Sequence, residues 1–304
     1  MRIFVIGAEG QVSRSLREAA ATDASIVLGW SARPGLDLTL PNTIARSIEA
    51  FGPDLVVNPA AYTAVDKAES EPQLAYAINR DGAGVVAEAA ARAGAPIIHL
   101  STDYVFDGSK DGPYDENDPT SPTGVYGHSK LAGEQVVAEA NPLHIILRTA
   151  WVYAPFGANF VRTMLRLSAE RDLLRVVDDQ IGCPTYAPDI AKAVLAISTQ
   201  LNKTGWRKDY AGVTHLAGPD MMSWCGFAEA IVKGAAERGG RLIPVQPITT
   251  ADYPTPAARP SNSRLSTARL EALFGVILPS FRASLDACLD QLLGAPNAPQ
   301  GRPT

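Results

Sequence analysis

The chain is short of the residues that staple or metallate a fold. Its 304 residues hold three cysteines, Cys183, Cys225 and Cys288, and four histidines. The cysteines are odd in number, widely spaced and form no CxxC, so buried reduced thiols are expected rather than a disulfide framework. No His/Cys cluster has ligand spacing, and no metal site is expected. Positive charge is also scarce: the formal net charge is −5. That argues against nucleic acid or an anionic membrane surface as the main partner. No apolar run reaches the ~18 residues of a membrane span. No signal-peptide pattern precedes the strand-like opening Met1-Arg2-Ile3-Phe4-Val5-Ile6-Gly7, so a cytoplasmic location is expected.

What remains is ordinary for a soluble globular protein, with 46% apolar and 19% charged residues. The length allows one large domain or two closely joined ones. Short apolar runs at 3–6, 25–28, 55–57, 97–100, 145–147, 175–177 and 214–216 read as strands. Helical patterns at 11–21, 74–93 and 130–140 lie between them. Near-continuous apolar strands alternating with helices predict an α/β fold, a doubly wound parallel sheet with right-handed crossovers and helices on both faces. Residues 1–150 form the expected dinucleotide-binding domain. Residues 151–293 form a smaller, partly interleaved substrate-binding portion, Pro-rich over 244–260 and ending in a helix at 280–293. A strand near 213–218 is expected to return to the main sheet, and the Pro/Gly-rich tail 294–304 to be disordered.

Gly7-Ala8-Glu9-Gly10-Gln11-Val12-Ser13 follows the first strand and opens the first helix. Gly7 permits a tight turn, Gly10 admits a pyrophosphate to the backbone, and the helix start offers free N–H groups and a positive dipole end. Ser13 replaces a third glycine. After the second strand comes Leu28-Gly29-Trp30-Ser31-Ala32-Arg33, with no carboxylate before Asp37. An acid there would hold the adenosine ribose. Ser31 and Arg33 instead suit a 2′-phosphate, which favours NADPH over NADH; Arg33 as a solvated loop charge stays open.

Tyr126 and Lys130 lie four residues apart, hence on one helix face. A nearby cation lowers a phenol's pKa from about 10, so the pair is expected to act as a tuned proton donor for carbonyl/alcohol interconversion. Leu100-Ser101-Thr102-Asp103-Tyr104-Val105-Phe106 ends a strand at the ligand edge of the sheet, where a Ser/Thr hydroxyl can reach the reacting carbonyl.

The ordered series continues with Asn58-Pro59-Ala60-Ala61-Tyr62-Thr63, Gly133-Glu134, Arg148-Thr149-Ala150-Trp151, Asp179-Gln180-Ile181-Gly182-Cys183-Pro184-Thr185 and Arg259-Pro260-Ser261-Asn262-Ser263. It resembles the extended short-chain dehydrogenase/reductases from residue 7 to about 279. Within that group it is similar to reductases of dTDP-linked 4-keto sugars. The resemblance implies a Rossmann-type fold and NADPH- or NADH-dependent reduction of dTDP-4-dehydro-6-deoxy-L-mannose to dTDP-L-rhamnose. It places Gly10, Gln11 and Val12 at the cofactor pyrophosphate beside the Gly7 turn. Asp37 and Leu38 fall at the adenine, and Ala61, Tyr62 and Thr63 at the nicotinamide. Tyr126 becomes the acid, Lys130 the group that tunes it and holds the nicotinamide ribose, and Thr102 the group that polarises the carbonyl. Thr102, Asp103 and Trp151 become sugar-nucleotide contacts, Arg259 a candidate for the diphosphate, and Asn79 a helix amide that orders the site. Trp151 as a core aromatic and Arg259 as a solvated arginine are the plainer alternatives. Some relatives bridge subunits through a metal held by glutamates; Ser15 stands near one such position, so no metal is carried over. A monomer or homodimer is expected. Two rivals share the scaffold: a sugar-nucleotide epimerase or dehydratase, and a non-catalytic regulatory subunit like the beta subunit of methionine adenosyltransferase. Tyr104, where a dehydratase carries an acid, disfavours the dehydratase. Retention of Tyr126, Lys130, Thr102 and Trp151 disfavours the subunit.

Overall fold

The computed structural model describes residues 1–295. Most of the expected disordered tail, from residue 296, lies outside the described residues. The strands are β1 (Arg2–Ile6), β2 (Val27–Ser31), β3 (Leu55–Asn58), β4 (Ile97–Thr102), β5 (His144–Thr149), β6 (Val152–Tyr153), β7 (Leu174–Val177), β8 (Ile181–Gly182), β9 (Thr185–Tyr186), β10 (Gly212–His215), β11 (Met222–Ser223), β12 (Val245–Ile248) and β13 (Asn262–Ser263). Six of them form one sheet in the order β10-β5-β4-β3-β1-β2, every pairing parallel. The order reverses between β1 and β3, and in open α/β sheets the ligand crevice lies beyond the carboxyl ends of the strands at such a switch point.

The strands are apolar because both faces are covered. On one side α1 (Gln11–Ala20) and α8 (Ala187–Thr204) pack with Val5, Val57, Ile98 and Leu147. On the other, α2 (Pro41–Phe51), α5 (Ala83–Arg92) and α6 (Val125–Ala140) cover Phe4, Val56, Ile97 and Ile146. Between β3 and α5 the chain forms the short α3 (Val65–Ala68) and α4 (Pro72–Tyr76). A separate core joins α7 (Phe160–Glu170), α9 (Trp224–Ala236) and α11 (Phe281–Leu293) through Phe227, Ile231 and Leu285. α10 (Ala268–Phe274) returns Leu270 and Phe274 to the first core. The strand expected near 213–218 does pair with β5. Cys183, Cys225 and Cys288 are buried free thiols.

Several expectations shift. The second strand is Val27–Ser31 rather than 25–28. Gly29 and Ser31 weaken its pattern, yet Gly29 is required, since a Cβ there would lie 2.4 Å from the Phe51 ring. The strand expected at 175–177 lies outside the main sheet and pairs with β12. The helix expected at 74–93 is broken by a π-helical turn, Ala77–Gly82. α6 starts at Val125, five residues before the expected 130, which places Tyr126 in its first turn.

Candidate active site

At the crevice, Gly7 takes φ +94°, and its N–H donates to Ser31 O at 2.7 Å. Gly10 starts α1 without a side-chain cap, and the first turn carries no acid. Free N–H groups at an uncapped, acid-free helix start fit a diphosphate. Ser13 is buried directly under the turn, its Oγ 3.5 Å from a Cβ built on Gly7, so the serine fills the space of the missing third glycine. Gln11 faces the second portion: its Oε1 accepts from Asn159 Nδ2 at 2.9 Å. Val12 packs against the first core and against a small cluster of Ala154, Phe156 and Ala187. Asp37 follows β2, its carboxylate accepting from the Thr39 N–H and hydroxyl, which hold its pKa below the usual value. Leu38 lies over Gly82 of the π turn, so close that a Cβ on Gly82 would meet Leu38 O at 2.6 Å. Arg33 is exposed.

The 61–63 loop is pinned by Asn79. Its Oδ1 accepts from Tyr62 N at 2.8 Å, while its Nδ2 donates to Tyr62 O and to Ser129 Oγ on α6. The π turn thus aims Asn79 at the loop and α6 together. Ala61 and Tyr62 are half-buried and Thr63 is exposed. The Tyr62 hydroxyl donates to Glu71 at 2.6 Å.

Tyr126 and Lys130 are both buried on α6, but not with the expected tuning. Lys130 Nζ donates to Leu100 O at 2.6 Å and lies 3.4 Å from His99 Nε2. Burial pushes the Tyr126 phenol up to about 12; the Thr102 hydroxyl opposes this and Asp103 adds to it. The expected lowering by Lys130 is therefore corrected: the ammonium is drawn into β4, and desolvation governs the phenol. Lys130 itself is brought down to about 8 by burial, against the pull of Glu134.

Thr102 Oγ1 donates to Asp103 Oδ1 at 2.9 Å and accepts from Tyr104 N at 3.2 Å. Burial raises Asp103 to about 6, against the Ser263 and Thr102 hydroxyls. Thr102 has one proton to give, and the charge on Asp103 decides whether Asp103 keeps it. Trp151 has φ 48°, a conformation that costs a non-glycine residue about 1–3 kcal/mol and clusters at ligand sites. One indole face is taken by Trp224, with ring centroids 3.5 Å apart. A Cβ on Gly182 would lie 2.3 Å from the indole. Arg259 reaches back to α3, where its Nη2 meets Asp66 Oδ2 at 2.9 Å.

The sequence reading gave no role to Trp224, to His99, or to Glu134 and Arg148. Glu134 accepts from Arg148 Nε and Nη2 at 2.9 and 2.7 Å and from Ser101 Oγ, all buried. The 126/130/134 spacing along one helix face was the available signal for Glu134.

The RmlD substrate binding domain family model matches residues 1–293. The chain belongs to this family. It is similar to the dTDP-4-dehydrorhamnose reductase of Sinorhizobium fredii, 51% identical over 285 residues, 93% of this chain and 95% of the relative. The reductase of the same name from Escherichia coli K12 is 41% identical, covering 96% and 98%. Among solved structures, a dTDP-4-dehydrorhamnose reductase from Clostridium acetobutylicum superposes with TM-score 0.89 at 37% identity, covering 96% of this chain and 99% of that one. One from Bacillus anthracis in complex with NADP gives 0.86 at 34%, covering 95% and 98%.

Proposed function

We propose that the protein reduces dTDP-4-dehydro-6-deoxy-L-mannose to dTDP-L-rhamnose with NADPH, or with NADH. The observation that carries this reading is a buried, proton-retaining Tyr126 beside Thr102 at the carboxyl edge of β4, in a chain 51% identical to a reductase of that name. The solved relative with NADP supports the cofactor, and the uncapped start of α1 suits its diphosphate.

Bound in this site, the nicotinamide would supply the hydride for the sugar C4. Tyr126, protonated throughout the neutral range, gives its proton to the forming alkoxide. The Thr102 proton, when Asp103 releases it, stabilises the developing negative charge. Gly10, Gln11 and Val12 hold the diphosphate of the cofactor. Asp37 and Leu38 border its adenosine, and Ala61, Tyr62 and Thr63 its nicotinamide. Asp103 and Trp151 border the sugar nucleotide. Arg259 is offered to the substrate diphosphate once Asp66 yields it. Action in the cytoplasm as a monomer or homodimer is part of the proposal.

The test is net NADPH oxidation with a panel of dTDP- and UDP-linked 4-keto sugars. Stoichiometric oxidation with the dTDP-4-keto-6-deoxyhexose is expected. Turnover of a sugar nucleotide without net oxidation would make the protein an epimerase. Oxidation confined to a UDP-sugar would leave the chemistry and overturn the substrate.

A further inference from the structure

His99 is fully buried in the middle of β4, its Nε2 3.4 Å from Lys130 Nζ and its Nδ1 3.1 Å from Asn58 Nδ2 on the adjacent β3. Lys130 Nζ also donates to Leu100 O. An ammonium has only donors, so Nε2 must accept from it, and the imidazole hydrogen must sit on Nδ1. Nδ1–H then needs an acceptor. In one of its two amide orientations Asn58 turns Nδ2 to it and leaves Oδ1 buried without a hydrogen-bond partner. The two ends of an amide are alike in shape and are assigned from their partners. Turning the Asn58 amide over gives Oδ1 its donor and removes the donor–donor conflict at Lys130. It moves Nδ2 to the side Oδ1 now occupies.

We infer that Asn58 and His99 form a relay of positioning residues: Asn58 fixes the Nδ1–H tautomer of His99, and His99 Nε2 then holds the Lys130 ammonium against β4. An imidazole that must charge to release this arrangement is disfavoured, since burial drives His99 well below its usual pKa, with Lys130 acting in the same direction. The charged and titratable groups that bear on Lys130 are His99 from β4 and, on its own helix, Glu134, which is paired with Arg148 of β5; Tyr126 lies one turn earlier on the same helix. Asp103, on the turn after β4, acts on Tyr126. An acceptor such as His99 stabilises the charged form of Lys130 against burial.

Two measurements test the relay. Long-range ¹H–¹⁵N NMR of the imidazoles in the wild-type protein at pH 7 reads the tautomer without any substitution. His99 is expected neutral with Nδ1 protonated; Nε2 protonated, or a charged ring, would overturn the inference. The second measurement rests on the reductase reading. In His99→Leu the alkaline limb of kcat/KM is expected to move down by about one pH unit, because the Lys130 ammonium, which the family resemblance places on the nicotinamide ribose, loses its acceptor. His99→Gln, which keeps a side-chain acceptor, is expected to restore the limb. Asn58→Asp, which can only accept from Nδ1–H, should keep it as well. A folded His99→Leu protein with an unmoved limb would overturn the relay. If His99→Leu does not fold, Asn58→Leu is read in its place, with the same downward shift expected and an unmoved limb counting against. An Nδ1–H tautomer in a protein that reduces no 4-keto sugar would keep the relay and overturn the reductase reading.

Discussion

A phenol buried beside a carboxylate keeps its proton at neutral pH, and a carbonyl reduction consumes one such proton per turnover. Burial gives Tyr126 such a retained proton, and the Thr102 hydroxyl acts on the phenol in the opposite sense. Tyr126→Phe is therefore expected to lower kcat by ~10²–10⁴-fold with little change in NADPH affinity, because the ring packing survives. Steady-state kinetics alongside cofactor titration checks it; a variant retaining half the parent rate would remove Tyr126 as the acid. Arg33 is exposed after β2, where no carboxylate competes before Asp37. Arg33→Ala should weaken NADPH more than NADH in fluorescence titrations, and equal losses would show that it does not read the 2′-phosphate. At this scale the Tyr126/Lys130 pair was legible, because i,i+4 spacing is a local property. Its polar surroundings were not. His99 comes from another strand, and the Asp66 that holds Arg259 lies far off along the chain.

The elements carry the next layer. α6 presents Tyr126, Lys130 and Glu134 on one buried face, and Glu134 clamps Arg148 of β5, both side chains 5% exposed. Removing one member of a buried pair leaves the other uncompensated, typically at a cost of about 3–5 kcal/mol. Glu134→Gln should lose stability of that order in urea unfolding, and Glu134→Gln with Arg148→Met should lose less than the sum. Simple additivity would show that the pair does not pin α6 to β5. The helix after β3 was legible as a helix from its alanine-rich run, Ala83 to Ala93, and the apolar residues before it. Its π turn was not, because one extra residue in a turn leaves composition unchanged. The turn matters: Gly133 of α6 passes so close that a Cβ there would lie 2.0 Å from Asn79 O. The second strand was misplaced for a related reason. A glycine chosen to admit the Phe51 ring looks like a strand end in sequence.

Over the whole molecule, the alternation of apolar strands and helices was enough to reveal the doubly wound sheet. The small strands of the second portion, two residues each in β6, β8, β9, β11 and β13, carry too little pattern to be read. Burial also sets the response to acid. Both ring nitrogens of His215 are buried without a well-formed hydrogen bond, and burial, with Arg148, lowers its pKa from 6.5 to about 3 against weaker support from the backbone of Tyr114 and Ser266. A base depressed in the fold contributes stability that is present above its unfolded value and is lost as pH falls from 6.5 towards 3. Asp103, raised from 3.8 to about 6, acts oppositely: its burial penalty is full above about pH 6 and is relieved as it protonates. The wild-type melting temperature should fall between pH 7 and pH 4 through the histidine, with Asp103 tempering the loss. His215→Phe, which removes the buried titratable ring, should narrow that difference; an unchanged difference would remove His215 from the account.

The central claim is hydride delivery to the sugar C4 with Tyr126 supplying the proton. It is tested most directly by turning over dTDP-4-dehydro-6-deoxy-L-mannose with NADPH deuterated at the transferring nicotinamide position and locating the label by NMR. The account predicts one deuterium at C4 of the deoxyhexose per NADPH oxidised, and loss of that product in Tyr126→Phe. A product without deuterium at C4, or conversion of the sugar without oxidation of NADPH, would contradict it.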